Sequence, residues 1–290
     1  VLESLVPALK AKIGGKNLPP HILKIDADGI NHVKLIDATP IGNNVRSTVA
    51  TYADIHDELR KLFAKSNRAK DKGLKASDFS YNTGSLRCQS CDGTGVVSLD
   101  VQFLPDVDIP CPDCRGSRYQ KAAYDIKITN KKGISASLPE LMEMDVNSAI
   151  DFFKDFNATL CQKLSVLKQL GLGYLTLGEE TPSLSGGESQ RLKLASEIKK
   201  GQEGSLFVFD EPSIGLHPLD VFVLLDVFQA LIDQGATVVV IEHDRDVIRN
   251  ADYVIDMGPG GGEEGGRIVA TGTVDEIKNN KDSITGKYIT

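Results

Sequence analysis

The sequence predicts an α/β fold built on a parallel sheet, and three features carry that prediction. Two short apolar runs, residues 206–209 (L-F-V-F) and 238–241 (V-V-V-I), are too brief for helices and apolar at every position, as strands covered on both faces are. Each run ends in polar residues, Asp210-Glu211 and Glu242-His243, at the strand end where open α/β sheets hold their ligands. Between the runs, residues 219–233 read as a helix with Phe222, Leu225 and Phe228 on one face, closed by Gly235.

A further helix is announced by residues 184–191, L-S-G-G-E-S-Q-R. Ser185 and Glu188 have capping-box spacing, in which the hydroxyl closes one orphan N–H and the carboxylate folds back to close another. Gly186 and Gly187 leave the first turn bare, so its N–H groups and the helix dipole can meet an anion closely. The helix then spans 188–198, with Leu192, Ala195 and Ile198 three apart, and Lys199, Lys200 and Gly201 end it. At the end of the first strand one carboxylate can hold Mg²⁺ while the next polarises a water, and His243 is placed to reach a terminal phosphate. An isolated L-S-G-G suits an ordinary capped helix. With D-E-P and E-H at the ends of two apolar runs, the set reads as a nucleoside-triphosphate-hydrolysing constellation of the ATP-binding-cassette (ABC) kind.

Composition narrows the function classes. At 290 residues the chain is long enough for a large core and two sub-domains, and 41% apolar with 25% charged residues is ordinary for a globular protein. No apolar run approaches the ~20 residues of a membrane span and no signal-peptide pattern opens the sequence, so a cytoplasmic protein is expected. A net charge of −7 excludes a generally basic nucleic-acid binder, leaving local patches. Two exist: Arg60, Lys61, Lys65, Arg68, Lys70, Lys72 and Lys75 against Asp71, and Arg115, Arg118, Lys121, Lys127, Lys131 and Lys132. Either one alone reads as solvated surface.

In chain order, residues 1–12 have helical spacing at Leu2, Leu5 and Leu9 without a capping residue, and residues 17–20 break that helix. Residues 34–36 form a short strand running into a polar turn at 37–42. Residues 51–65 form an amphipathic helix on which His56 takes a surface position. Residues 79–119 are loop-rich, short strands surround 123–128, and 138–171 are helical with Cys161 as a small buried core residue. Strands at 253–257 and 267–270 flank a glycine loop at 258–266, which contains no lysine and is no phosphate cradle.

Within the loop-rich segment, Cys88-Gln-Ser-Cys91 and Cys111-Pro-Asp-Cys114 are two C-x-x-C pairs nineteen residues apart. Each pair sets two thiolates on one turn, and two such turns close a tetrahedral zinc site with no open position, which serves folding rather than chemistry. A disulfide reading is weak in a chain without a secretory signal. C-x-x-C followed by Gly93 and Gly95 also occurs in the zinc region of DnaJ-type chaperones, so the module alone names no function.

Taken together the motifs resemble the C-terminal half of the UvrA family, the damage-recognising ATPase subunits of the bacterial excinuclease ABC. The likeness covers nearly the whole chain. It takes in I-D-A-T-P-I-G…R-S…A-T-Y at 36–52, the cysteine pairs flanking F-L-P-D-V at 103–107, and G-L-G-Y-L at 171–175. It continues through the signature, D-E-P-S-I-G-L-H at 210–217, V-V-V-I-E-H-D at 238–244 and I-D-M-G-P-G-G-G…G-G-R-I-V-A-T-G-T at 255–273. Transporter ATPases share only the signature, Asp-Glu and His pieces.

The resemblance implies a division into 1–75 (first part of an ATP-binding core), 76–135 (zinc module), 136–204 (helical signature subdomain) and 205–290 (second part of the core). It implies ATP, Mg²⁺ and Zn²⁺ as cofactors. Asp210 would hold Mg²⁺ through water, Glu211 would be general base and His243 would sense the γ-phosphate. Ser185, Gly186, Gly187 and Gln190 would bind ATP held by another nucleotide-binding domain, with 213–217 coupling the two sites. Cys88, Cys91, Cys111 and Cys114 would hold zinc near the DNA path, and Arg115 and Arg118 are candidate DNA contacts. The implied partners are damaged double-stranded DNA, UvrB and a second copy of the intact protein, with no membrane.

The sequence departs from the family pattern at two points. Ala38 stands where the family has the glutamine that completes Mg²⁺ coordination, and no G-x-x-x-x-G-K-[ST] is present. By the resemblance that loop would lie just before Val1, so the chain is expected to be a fragment that does not hydrolyse ATP alone. Two other readings stay open: a UvrA-like paralogue outside repair, for example in drug resistance, suggested by Ala38, and a non-enzymatic zinc DNA-binding module. Retention of both Asp210 and Glu211 argues against the second of these.

Overall fold

The computed structural model describes residues 1–42, 44–99, 107–198, 202–216, 218–258 and 265–289. The first elements are α1 (Leu5–Ile13), β1 (His32–Ile36), α2 (Val49–Tyr52), α3 (Ile55–Ala64), α4 (Asn67–Asp71), β2 (Val96–Leu99), β3 (Val107–Pro110), β4 (Lys127–Thr129), β5 (Ser135–Ser137), α5 (Leu138–Met142), α6 (Val146–Phe153), α7 (Ala158–Gln169) and α8 (Gly186–Glu197). They are followed by β6 (Ser205–Asp210), α9 (Pro218–Asp233), β7 (Thr237–Ile241), α10 (Arg245–Arg249), β8 (Val254–Gly258), β9 (Arg267–Gly272), α11 (Val274–Asn279) and α12 (Ile284–Tyr288). The chain forms two compact units, one of Val1–Ala38 with Lys199–Thr290 and one of Thr39–Ile198.

The first unit is a parallel sheet in the order β1-β6-β7, with β6 in the centre. Alternation along β6 sends Leu206 and Val208 to one face, where they meet Val6 and Leu9 of α1. Phe207 and Phe209 face the other way with rings stacked at 6.2 Å, and Phe209 packs on Phe228 of α9 at 4.7 Å. Each such side chain stabilises the fold by ~1.5–3 kcal/mol when fully buried. Residues 238–241 are half-buried, short of the full burial expected, because β7 lies at the edge of this sheet among the described residues.

The apolar face of α9 differs from the one expected. Val221, Leu224, Val227, Phe228 and Leu231 are buried, whereas Phe222 is 55% exposed, since it sits about 100° around the helix from Val221. β8 and β9 pair antiparallel with an irregularity at Asp256/Met257, and Ala270 packs on Ile277 and Ile289. The glycine loop at 259–264 and the helix end at 199–201 lie outside the described residues.

The second unit is helical, with α6 paired against α7 and two small antiparallel ribbons, β2-β3 and β4-β5. The helix expected over 51–65 is split. Thr48 caps α2 through the Thr51 N–H, and Asp54 then turns through the left-handed region (φ 55°) before α3 begins. That turn sends His56 inward, where it is 3% exposed and not on the surface. Its Nε2 lies 2.9 Å from the Tyr119 hydroxyl, which donates to the Phe79 carbonyl at 2.8 Å, so Nε2 carries the proton and donates to the phenol oxygen. Cys161 is half-buried, with Sγ 3.8 Å from the Ile150 carbonyl, since α7 turns its fully buried face through Leu160, Leu164 and Leu167. A parallel-sheet core of the ABC-ATPase type is thus joined in one chain to a helical subdomain carrying four clustered cysteines.

Burial, followed by the positive charges of Arg60 and Arg118, lowers the pKa of His56 from 6.5 to about 3. The unfolded chain therefore binds more protons between those values; the stability is fully present above 6.5 and is lost as pH falls towards 3. Between about pH 7 and pH 5 the loss from this group is on the order of 2 kcal/mol. Urea unfolding at the two pH values should show it, and His56→Gln, whose amide can still donate to Tyr119, should flatten that part of the slope.

Candidate functional site

In the first unit the site is built at the C-terminal end of β6. Asp210 is the last residue of the strand, in register with Ile241 of β7. Glu211 leaves the strand in the left-handed region (φ 47°), a conformation that costs a residue with a Cβ of order 1 kcal/mol or more. Its N–H still donates to the Ile241 carbonyl at 2.9 Å, so the strain turns the side chain without releasing the backbone. Glu211 Oε1 then faces His243 Nε2 at 3.5 Å, with the imidazole 85% exposed. A carboxylate and an exposed imidazole at this separation can jointly orient a water or an anionic oxygen.

Glu242, to which no motif in the sequence assigns a role, anchors the backbone on both sides of this pair. Oε1 accepts from the Ser213 N–H at 2.8 Å, while Oε2 accepts from the N–H groups of His243 at 2.7 Å and Asp244 at 3.0 Å. One carboxylate thus ties the loop after β6 to the loop after β7. Asp244 continues the chain of anchors by capping α10 at the Asp246 and Val247 N–H groups. The signal in the sequence was only the acidic residue between the apolar run and the histidine. His217 lies outside the described residues.

In the second unit Ser185 caps α8 as its spacing predicts. Its N–H donates to Glu188 Oε2 at 2.7 Å and its hydroxyl accepts from the Glu188 N–H at 3.3 Å. Burial raises the Glu188 pKa, but hydrogen bonds from Tyr174 and from the Ser185 N–H and hydroxyl outweigh it, so the group stays a carboxylate. Ser185 and Gly186 are exposed and Gly187 half-exposed, presenting a bare helix start. Gln190 does not share that exposure; it is only 3% accessible. Ser189 Oγ and Arg191 Nε and Nη1 are buried with no hydrogen-bond partner among the described residues.

The four cysteines converge in the same unit. Cys88 Sγ lies 3.9 Å from Cys111 Sγ and Cys91 Sγ lies 3.7 Å from Cys114 Sγ, with all four ligand atoms within 4.8 Å of one another. A disulfide needs about 2.05 Å, whereas a zinc tetrahedron with ~2.3 Å bonds has edges of about 3.8 Å. The sulfurs therefore fit a metal ion. Burial raises the Cys91 thiol, but the Gly95 N–H and the thiols of Cys114 and Cys88 bring it down to about 7. Burial pushes Cys114 up to about 12 and Cys88 in the same direction, so a dication is what would make four thiolates stable together. Gly93 is required here, because a Cβ at that position would lie 1.7 Å from the Tyr81 carbonyl oxygen.

The two candidate DNA cations part company. Arg115 is exposed on the second cysteine turn. Arg118 is 4% exposed, bonds to Glu180 Oε1 at 2.6 Å and the Val45 carbonyl at 2.9 Å, and stands over the Tyr81 ring. The proposed phosphate contact at Arg118 is therefore corrected to an internal ion pair, since its guanidinium is enclosed and already matched.

No protein-family model matches the chain. It is 46% identical to UvrABC system protein A of Aquifex aeolicus over 263 residues, covering 90% of this chain and 28% of that protein. It is 42% identical to UvrABC system protein A of Staphylococcus aureus, covering 100% of this chain and 30% of that protein. The crystal structure of UvrA2 from Deinococcus radiodurans matches all of this chain and 34% of its own, with a TM-score of 0.88 and 39% identity. The chain is homologous to a segment of UvrABC system protein A.

That homology to UvrABC system protein A runs through both units, because the matched span leaves out little or none of the chain, and residues 88–114 lie within it. The chain spans about 30% of the length of the curated relatives it matches. No helix among the described residues is long and apolar enough to cross a membrane.

Hydrogen bonds to a charged acceptor contribute about 1.5–3 kcal/mol each, and tenfold in a rate or equilibrium is about 1.4 kcal/mol. Glu242→Ala should therefore speed amide exchange at Ser213, His243 and Asp244 by about ten- to a hundredfold while the β6 amides stay protected. Equal rates in the variant would remove Glu242 from the scaffold of the site.

Proposed function

We propose that this chain is the C-terminal part of an ATP-dependent subunit that binds damaged DNA in nucleotide excision repair. In that protein it acts as a dimer and loads UvrB at lesions. The observation that carries the reading is the joint presence of a four-sulfur cluster and an ABC-type core in one chain homologous to UvrABC system protein A. Damaged duplex is the matching substrate, because a lesion sensor reads shape and deformability rather than base edges.

In this reading Asp210 would hold Mg²⁺, which would supply charge neutralisation at the phosphates, and Glu211 would take the proton of the attacking water, the strained turn being what aims its carboxylate. His243 meets the γ-phosphate from its exposed position beside Glu211. Hard oxygen donors at a strand end suit Mg²⁺, so the carboxylates fit that ion. For the phosphates themselves the chain supplies no G-x-x-x-x-G-K-[ST] loop, so that grip would come from elsewhere in the whole protein. Ser185, Gly186 and Gly187 contact ATP held by another nucleotide-binding domain through their exposed helix start, and the orphaned Ser189 and Arg191 atoms lie on the same helix. Gln190 joins them only if its buried amide turns outward. Cys88, Cys91, Cys111 and Cys114 hold zinc as a structural ion.

The second reading, a UvrA-like paralogue outside repair, draws on Ala38, which has no side-chain amide to offer a metal or a phosphate. The full-length protein should bind a duplex carrying a bulky adduct more tightly than the intact duplex in at least one nucleotide state, and should restore a UV-sensitive strain lacking UvrA. Equal binding in every state contradicts the repair reading; lesion preference without restoration favours the paralogue. Arg115→Ala should lower the slope of log K against log salt by about one unit if Arg115 meets a phosphate, and an unchanged slope returns it to solvated surface.

A further inference from the structure

The cysteine turns and the start of α8 are joined by one enclosed ion pair. Arg118 lies four residues after the ligand Cys114, and Glu180 lies five residues before the helix cap Ser185. Their side chains meet at 2.6 Å, with the guanidinium side chain 5% exposed and the carboxylate 32% exposed. Arg118 is fixed from the metal side. Its carbonyl accepts the Cys88 N–H at 2.9 Å, which links it to the first cysteine turn, and its backbone sits in the left-handed region at φ 69°. Gly95, also at positive φ, leaves the gap the arginine uses, since a Cβ there would lie 3.2 Å from Arg118 Cγ and 2.9 Å from the Gly116 carbonyl oxygen.

Glu180 is fixed from the other side. It bridges Thr48, the neighbouring Thr181 N–H donates to the Ser47 carbonyl at 3.0 Å, and the Val49 N–H donates to the Glu179 carbonyl at 2.9 Å. Ser183 then hangs from Glu179 and Glu180, one residue short of the Leu184 that leads into the cap. Arg118 also reaches the Val45 carbonyl, and Tyr81, beneath the guanidinium, donates to the Arg46 carbonyl. Three segments distant in sequence therefore converge on a single cation, whose own backbone is tied to the first cysteine turn.

We propose that the Arg118–Glu180 ion pair couples metal occupancy of the four cysteines to the order of residues 181–188, so that loss of the metal releases the start of α8. Arg118 is on this account a positioning residue, acting on Ser185 through Glu180. The inference rests on the proposed function only for the purpose of that helix start. Its test needs neither ATP nor DNA, so a failed lesion-binding assay would leave it standing.

The measurement is amide hydrogen exchange on the full-length protein containing this chain, loaded with zinc and then stripped by a chelator, as wild type and as Glu180→Gln. In wild type, chelation should raise exchange in residues 88–118 and, by about tenfold or more, in 181–188, while helices 146–153 and 158–169 stay protected. Zinc-loaded Glu180→Gln should keep its bound zinc and the protection of 88–114, yet show 181–188 already released. Chelation should then add nothing further at 181–188, as a coupling carried by this pair requires. The proposal is overturned if chelation opens 88–118 and leaves 181–188 unchanged, if the α6 and α7 amides rise equally, or if Glu180→Gln responds with the wild-type factor. The wild-type arm needs no substitution, so a variant that failed to fold would not remove the test.

Discussion

Four sulfur atoms held within 4.8 Å of one another are the constraint on which the second unit depends. The ribbon that carries the turns is only β2 and β3, each of four residues, and a lone two-stranded ribbon is marginally stable at best in water. Burial raises the Cys88 and Cys114 thiols, so the cluster is unfavourable as four thiolates unless a dication balances it. Metal binding to such sites contributes folding free energy of about 10 kcal/mol or more. Around this fixed point sit the enclosed Arg118, the Tyr119 hydroxyl and the neutral His56, none of which is favourable in water-free surroundings without its partner.

The first unit rests on a different constraint, the two-sided burial of β6. Leu206 and Val208 pack on α1 while Phe207 and Phe209 fill the other face, and parallel ladders to β1 and β7 hold the strand's register from both edges. Asp210 and Glu211 are therefore delivered at a fixed height at the sheet's end. The strained backbone at Glu211 and the three N–H groups gathered by Glu242 then aim the carboxylate towards His243. Packing sets where the site is, and hydrogen bonding sets where its side chains point.

Features of local chemistry were legible in the sequence. Spacing alone gave the cysteine cluster, the Ser185–Glu188 capping box and the central strand, because each depends on residues close together in the chain or on a short uninterrupted apolar run. Features decided by distant partners were not. His56 looked like a surface position because nothing near it in sequence reveals Tyr119, 63 residues away. Arg118 looked like a phosphate contact because its matching acid, Glu180, lies 62 residues on. Phe222 sat on the right helix but the wrong side of it, since the buried stripe of α9 is chosen by the sheet and not by the size of the side chains.

The most direct test of this account is X-ray absorption at the zinc edge on the protein purified without added metal, together with its metal content. The account predicts one zinc per chain in a shell of four sulfurs at about 2.3 Å. A shell containing nitrogen or oxygen ligands, or a folded protein that holds no metal, would contradict it.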